Sequence, residues 1–332
     1  MHSPFLIGTS GFGYSDWVEN NAKTRIPFYP QYIKDNQRLA YYSEIFPTVE
    51  INTTFYHYPR PIIVERWAKQ SPENFIFSYK IPKLITHERK LQEDYWADLM
   101  RFIELMSPLN RKLGPALLQL PPKFSASFMG NLKLFLKNWP SELKLAVEFR
   151  EPSWINQQNL QKTLSLLVNA NVAYCVVDEP LLTPITPITA NFSYVRFHGH
   201  GLKPWYNYEY TEEELKNWVP KLKEITGQTQ EVFTYFNNHP AGSAPSNARQ
   251  LAVLLKIPLK KSESIDIAQV RKRAGDSPQH SLESFFPLDN PDLPIVDKYI
   301  RYCSNCGAPV LREDLFCENC GNQIEQENKK GF

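Results

Sequence analysis

The stretch Ile7–Trp17, IGTSGFGYSDW, places three glycines, two serines and a threonine directly after the apolar opening Phe5-Leu6-Ile7. Gly8, Gly11 and Gly13 are spaced G-x-x-G-x-G, which is not the dinucleotide fingerprint G-x-G-x-x-G, and no Lys-Ser/Thr pair follows to make a P-loop. A strand followed by a tight turn needing positive φ accounts for the glycines, and anion contact by the turn's N–H groups is a secondary reading.

The rest of the chain decides between these readings. Eight short runs rich in Val, Ile, Phe and Tyr follow one another: FLIGTS, TVEINT, FIFSYK, ALLQLP, LAVEFR, AYCVVD, YVRFHG and VFTYFN. Helical patterns fall at Arg38 to Phe46, Ile62 to Gln70, Tyr95 to Met106, Phe128 to Trp139, Leu160 to Asn169, Glu212 to Ile225 and Ser246 to Leu255. Eight strand and helix units in about 250 residues are the arithmetic of an α/β fold, the (β/α)8 or TIM-like barrel. A doubly wound open sheet is the runner-up, and it lacks its nucleotide motif here. The glycine stretch then becomes the first βα loop of a barrel. It runs to about Arg38, long enough to cover part of the mouth.

The 332 residues, 42% hydrophobic and 22% charged, suit one large globular domain with a small appendage. A net charge of +2 is too mild to argue for a nucleic-acid or membrane surface, although it leaves room for a local basic cleft. No basic-then-apolar leader opens the chain, and no run approaches roughly eighteen apolar residues, so a soluble, cytoplasmic protein is expected. The boundaries read as a barrel over 1–256, a linker over 257–298 with one short helix near Ile265 to Arg273, and a small module over 299–325.

That module carries four of the five cysteines, as Cys303-x-x-Cys306 and Cys317-x-x-Cys320, each pair followed at once by glycine. Two such knuckles offer four thiolates to one tetrahedral Zn²⁺ and leave no open coordination position, so the zinc is structural in this reading. Short zinc ribbons of this kind contact either nucleic acid or protein, and both remain open as partners. Cys175, inside AYCVV, reads as a buried thiol.

Barrel chemistry sits at the C-terminal ends of strands. The polar residues there are Glu50 and Asn52, Lys80, Gln119, Glu148 and Arg150, Asp178, Arg196 and His198, and Asn237 and Asn238. Residues two apart on a strand share a face, so Glu50 pairs with Asn52, Glu148 with Arg150, and Arg196 with His198. For each charge taken singly, an ion pair stitching the rim is the alternative. Aromatics beside these ends, Trp17, Tyr56, Trp154, Trp205 and Tyr206, can stack on a ligand or anchor loops.

Seven ordered stretches, IGTSGFGYSDW, FPTVEINTTFYHYP, FSYKIPKLITHERKL, LGPALLQLPPKF, LAVEFREPSW, YVRFHG and VFTYFNNHPAGSAPSNA, together resemble the YecE-like family, also called domain of unknown function seventy-two. The resemblance covers about residues 5 to 256 and implies a (β/α)8 barrel with no established activity. It adds Thr53, Tyr56, Thr86 and His87 to the candidate site. The expectation is an enzyme acting on a phosphorylated or sugar-containing ligand, a nucleotide or nucleic acid included. Glu50, Glu148, Asp178 and His198 are the catalytic candidates. Asn52, Tyr56, Lys80, His87, Gln119, Arg150, Arg196 and Asn237 are the ligand-binding ones. Convergence of the four catalytic candidates within coordination distance would admit a divalent metal. Two carboxylates across an open cleft would point to glycosidic hydrolysis. The alternative is a non-catalytic binding barrel whose ribbon recruits a partner.

Overall fold

The eight apolar runs form parallel strands β1 (Phe5–Thr9), β2 (Thr48–Ile51), β3 (Ile76–Lys80), β4 (Leu113–Gln119), β5 (Leu145–Glu148), β6 (Ala173–Asp178), β7 (Phe192–Phe197) and β8 (Glu231–Phe236). Helices α1 (Arg38–Ile45), α2 (Thr53–Tyr56), α3 (Pro61–Gln70), α4 (Trp96–Met106), α5 (Met129–Asn138), α6 (Leu160–Asn169), α7 (Glu212–Thr226), α8 (Ser243–Leu254) and α9 (Ile267–Ala274) surround them. The computed structural model describes residues 5–92, 94–202, 204–275, 301–302 and 309–310. Among these, no helix is long and apolar enough to cross a membrane.

Parallel ladders run in the order β1-β8-β7-β6-β5-β4-β3-β2. Closure between β1 and β2 uses a single bridge, Ser10 to Glu50, with Gly11 N–H donating to the Glu50 carbonyl at 2.8 Å. The Tyr42 hydroxyl from α1 takes the place of the missing ladder. It accepts from Thr9 N–H at 2.9 Å and donates to the Thr48 carbonyl at 3.0 Å, so both strand edges stay satisfied. Gly8 is required at this seam, because a Cβ there would stand 2.1 Å from the Thr48 carbonyl oxygen.

Two departures from the expected rhythm have physical causes. No helix joins β6 to β7. Pro180, Pro184 and Pro187 exclude one, and the extended segment instead pins itself to β6 through Thr189, whose hydroxyl accepts from Tyr174 N–H and donates to the Val172 carbonyl, both at 2.7 Å. The reading of 257–298 as linker is also corrected at its start. Residues up to Ala274 pack on the barrel, with Val270 and Ala274 of α9 buried against α1 and α3 and the Gln70 amide donating to the Ala274 carbonyl at 3.1 Å. Polar composition concealed this because only a few apolar residues make the seam.

The long β1–α1 loop is fixed over the mouth. Trp17 Nε1 donates to the His239 carbonyl at 2.6 Å and the Asp16 carboxylate accepts from Ala241 N–H at 2.8 Å, tying it to the loop after β8. Beyond the barrel, β9 (Arg301–Tyr302) pairs antiparallel with β10 (Pro309–Val310), and these flank the first C-x-x-C in sequence. Cys303, Cys306, Cys317 and Cys320 themselves lie outside the described residues.

Candidate active site at the barrel mouth

Strand parity builds the site. Along β5, β6, β7 and β8 the inward side chains are Ala146, Ala173 with Cys175 and Val177, Phe192 with Tyr194, and Phe233 with Tyr235. Above this apolar plug the same parity delivers Glu148, Arg196 and Glu50 to one buried layer. Arg196 Nη2 donates to Glu50 Oε1 at 2.7 Å and its Nη1 to Glu148 Oε2 at 2.6 Å, so one guanidinium joins two carboxylates from opposite sides of the barrel.

Every remaining acceptor is occupied. Glu50 also receives the Ser10 and Tyr194 hydroxyls at 2.7 Å each. Glu148 receives the Gln119 amide at 2.6 Å and Nε of Arg150. Burial alone would raise the Glu148 carboxyl, but Arg150 and Arg196 outweigh it and hold it well below the usual carboxylate range. Such a carboxylate stays ionised and is a poor proton shuttle. His198 is the converse case. Burial, then the charges of Arg196 and Arg150, push it down to about 3, so it is a neutral imidazole at physiological pH. Its Nε2 faces both guanidinium groups at 3.3 Å and its Nδ1 lies 2.9 Å from the Asn237 amide.

Lys80 differs from all of these. It is 6% exposed and ends β3, its backbone clamped by the Thr54 hydroxyl, which donates to its carbonyl at 2.7 Å. The ammonium has no ion-pair partner among the described residues and sits 3.9 Å from the centroid of the Phe55 ring. Burial first, then the Arg196 charge, brings it down to about 7. An amine so placed exchanges a proton at neutral pH.

Asp178 does not join this layer. It faces the other side of β6 and pairs with His200 at 3.1 Å, whereas Glu179 faces the mouth and binds Arg150 Nη1 at 2.7 Å. Glu50, Glu148, Asp178 and His198 therefore do not converge, and no group of three or more His, Cys, Asp or Glu side chains suited to a metal occurs among the described residues. The two carboxylates do not flank an open cleft either, since both are fully buried with a guanidinium between them.

Around the opening, His87 Nδ1 lies 2.7 Å from the Thr86 hydroxyl and its ring meets Phe55 edge-on, in a single wide turn over Leu84–Glu88. Tyr56 is 38% exposed beside Phe55. Sequence reasoning missed Tyr14, which stacks on His239 at 4.5 Å while Tyr206 stacks on His239 from 5.0 Å. Trp17, Trp154 and Trp205 are buried loop anchors. Asn52 lies in the wall of a side cavity behind the first loop.

Fold and site together define a parallel barrel with a buried ionised layer under an aromatic rim. A family model described as protein of unknown function DUF72 matches residues 6–270, and the chain belongs to that family. It is 29% identical over 76% of its length to the UPF0759 protein YunF of Bacillus subtilis, covering 94% of that protein. It is 36% identical to YecE of Escherichia coli over 38% of its own length and 46% of that protein. A solved DUF72 family structure from Thermotoga maritima superposes with a TM-score of 0.65 at 30% identity, over 76% of this chain and 99% of that one. One from Enterococcus faecalis gives 0.60 at 27% identity, over 66% and 94%. A zinc-ribbon model matches residues 302–324, the span of all four clustered cysteines.

The donor set fits zinc. Metal analysis of the full chain should find zinc equimolar with protein, and Cys303→Ser with Cys306→Ser should remove it while leaving the barrel's melting temperature unchanged. Zinc retained by that variant would place it elsewhere.

Proposed function

We propose that the mouth is the active site of an enzyme acting on a sugar-derived or phosphorylated ligand, with Lys80 as the group that takes the proton. The carrying observation is the buried amine against the Phe55 ring with no ion-pair partner among the described residues. With Glu148 held ionised by Arg150 and Arg196, the amine exchanges a proton at neutral pH. Its neutral form can abstract a proton from a hydroxyl or from carbon beside a carbonyl, and its charged form holds an anion. Tyr14, Tyr56 and Tyr206 support a sugar because their ring faces match its C–H face. Gln119, His198 and Asn237 orient, and Arg196, Glu50 and Glu148 keep the floor rigid.

The test begins with the amine. The native value of about 7 lies below the ordinary 10.5, so between these the unfolded chain holds a proton the native state lacks. Stability thus rises as pH climbs from about 7 to 10, and the full penalty of burying the charged amine is present below 7. Lys80→Met should abolish that rise, and amine labelling at Lys80, read by peptide mass, should be half-maximal near pH 7. Turnover of a panel of sugars and sugar phosphates should climb with its midpoint near pH 7, as the labelling does, and vanish in Lys80→Met. A panel substrate turned over equally by that variant overturns the assignment.

The saturation of Glu50 and Glu148 favours a second reading, a binding barrel without turnover whose ribbon recruits a protein or nucleic acid. A panel ligand that binds and is never converted supports it.

A further inference from the structure

Behind the first βα loop, between it and α3, lies a cavity of about 200 Å³. None of Lys80, Glu148, Arg150 or Arg196 reaches it, so it is separate from the ionised layer. Its wall is largely apolar, with Phe12, Leu39, Ile63 and Trp67. A dry cavity of roughly 150 Å³ takes a benzene ring, and the extra space here accommodates a small polar substituent.

Two lining residues say what the substituent should be. Arg38 is only 6% exposed, and its guanidinium is fixed by Nη1 donating to the Gly13 carbonyl at 2.7 Å and Nη2 pairing with Asp35 at 2.6 Å. Its Nε, a buried donor, has no partner among the described residues. The Oδ1 of Asn52, a buried acceptor, has none either. An unmet buried donor or acceptor costs about 1–3 kcal/mol. An apolar wall carrying the Arg38 donor and the Asn52 acceptor is complementary to a ring that bears the reverse pair.

We infer that this cavity is a binding site for a planar, mainly apolar group of about ten non-hydrogen atoms that brings both an acceptor and a donor, as an aromatic carboxamide does. The acceptor meets Arg38 and the donor meets Asn52. Tyr14 also lines the cavity while its ring stacks on His239 at the rim, so one residue forms the partition between cavity and mouth. The inference stands apart from the chemistry assigned to Lys80.

Benzamide is the probe, titrated calorimetrically into the full chain. A single saturable site is expected. Ile63→Trp, which fills the cavity, should abolish it, and Arg38→Met should weaken it about tenfold by removing a hydrogen bond. Toluene, followed by NMR, should bind Arg38→Met as it binds the parent. If Arg38→Met does not fold, Asn52→Leu tests the other half of the pair with the same expected loss. Lys80→Met should leave benzamide binding unchanged. Absence of saturable binding, a cavity occupied by water alone, overturns the inference. So does binding that survives Ile63→Trp, or binding lost in Lys80→Met, which would move the probe to the mouth.

Discussion

Arg196→Met should be the most damaging single change in the barrel, lowering unfolding free energy by about 3–5 kcal/mol, the usual cost of stranding a buried ion pair. The guanidinium is 2% exposed and the two carboxylates it joins are fully buried. Removing it leaves Glu50 with only the Ser10 and Tyr194 hydroxyls, and leaves Glu148 to Arg150 and Gln119. The methionine fills the volume without replacing the charge, so the loss is electrostatic and should carry a pH signature. In the parent, Glu148 is held well below its ordinary range, so its contribution is present above about pH 4.5 and lost only as pH falls through that lower native value. In the variant the opposing burial is no longer fully offset and the carboxyl moves up. The deficit should therefore be largest near pH 7 and shrink on acidification. Urea unfolding at pH 7 and pH 5 measures both. A deficit under about 1 kcal/mol, or one that grows toward acid, would show that the layer is not held by this charge. Arg196→Lys should fall between, because an ammonium cannot fork to two carboxylates.

That layer also shows how far sequence reasoning reaches. Strand ends named Glu50, Glu148, Arg150, Arg196, His198, Lys80 and Gln119, and the structure assembles them. AYCVVDE is apolar on both faces, as strands of a buried parallel sheet are, so alternation gives no register; the strand end therefore names Asp178 and passes over Glu179, the residue that binds Arg150. The only guide was parity from Cys175, whose inward position the structure reveals through its 3.8 Å approach to Glu148. The distinct state of Lys80 was also illegible. It depends on what is missing around the amine and on the Phe55 ring from α2, neither of which has a pattern in one dimension. Helix existence was readable from period, and the missing helix between β6 and β7 was readable only by weighting three prolines against a connection of ordinary length. Tyr14 escaped because loop residues carry no periodic signal at all.

The boundary of the barrel supplies the other large effect. A chain ending at Lys256 should lose about 3–6 kcal/mol relative to one ending at Gly275, although the two differ by a segment that composition marks as linker. Ile265, Val270 and Ala274 are buried in the longer chain, and each fully buried Val or Ile side chain contributes about 1.5–3 kcal/mol. Glu44 of α1 adds to the deficit. Its side chain is 5% exposed and both its cations, Lys260 and Arg273, come from the removed segment. Lys260 is 58% exposed and contributes little. Arg273 is 17% exposed and is the partner whose loss strands the carboxylate. Gln70 loses the Ala274 carbonyl at the same time, and Gln70 lines the side cavity, so the shorter chain should also bind benzamide less well. Thermal melting of the two chains decides the point. Coincident transitions would mean that α9 rests on the barrel without holding it. A melting temperature lower by about 10 °C, with further recovery by neither zinc nor the ribbon, would make α9 the last structural element of the barrel and place the start of the linker after it.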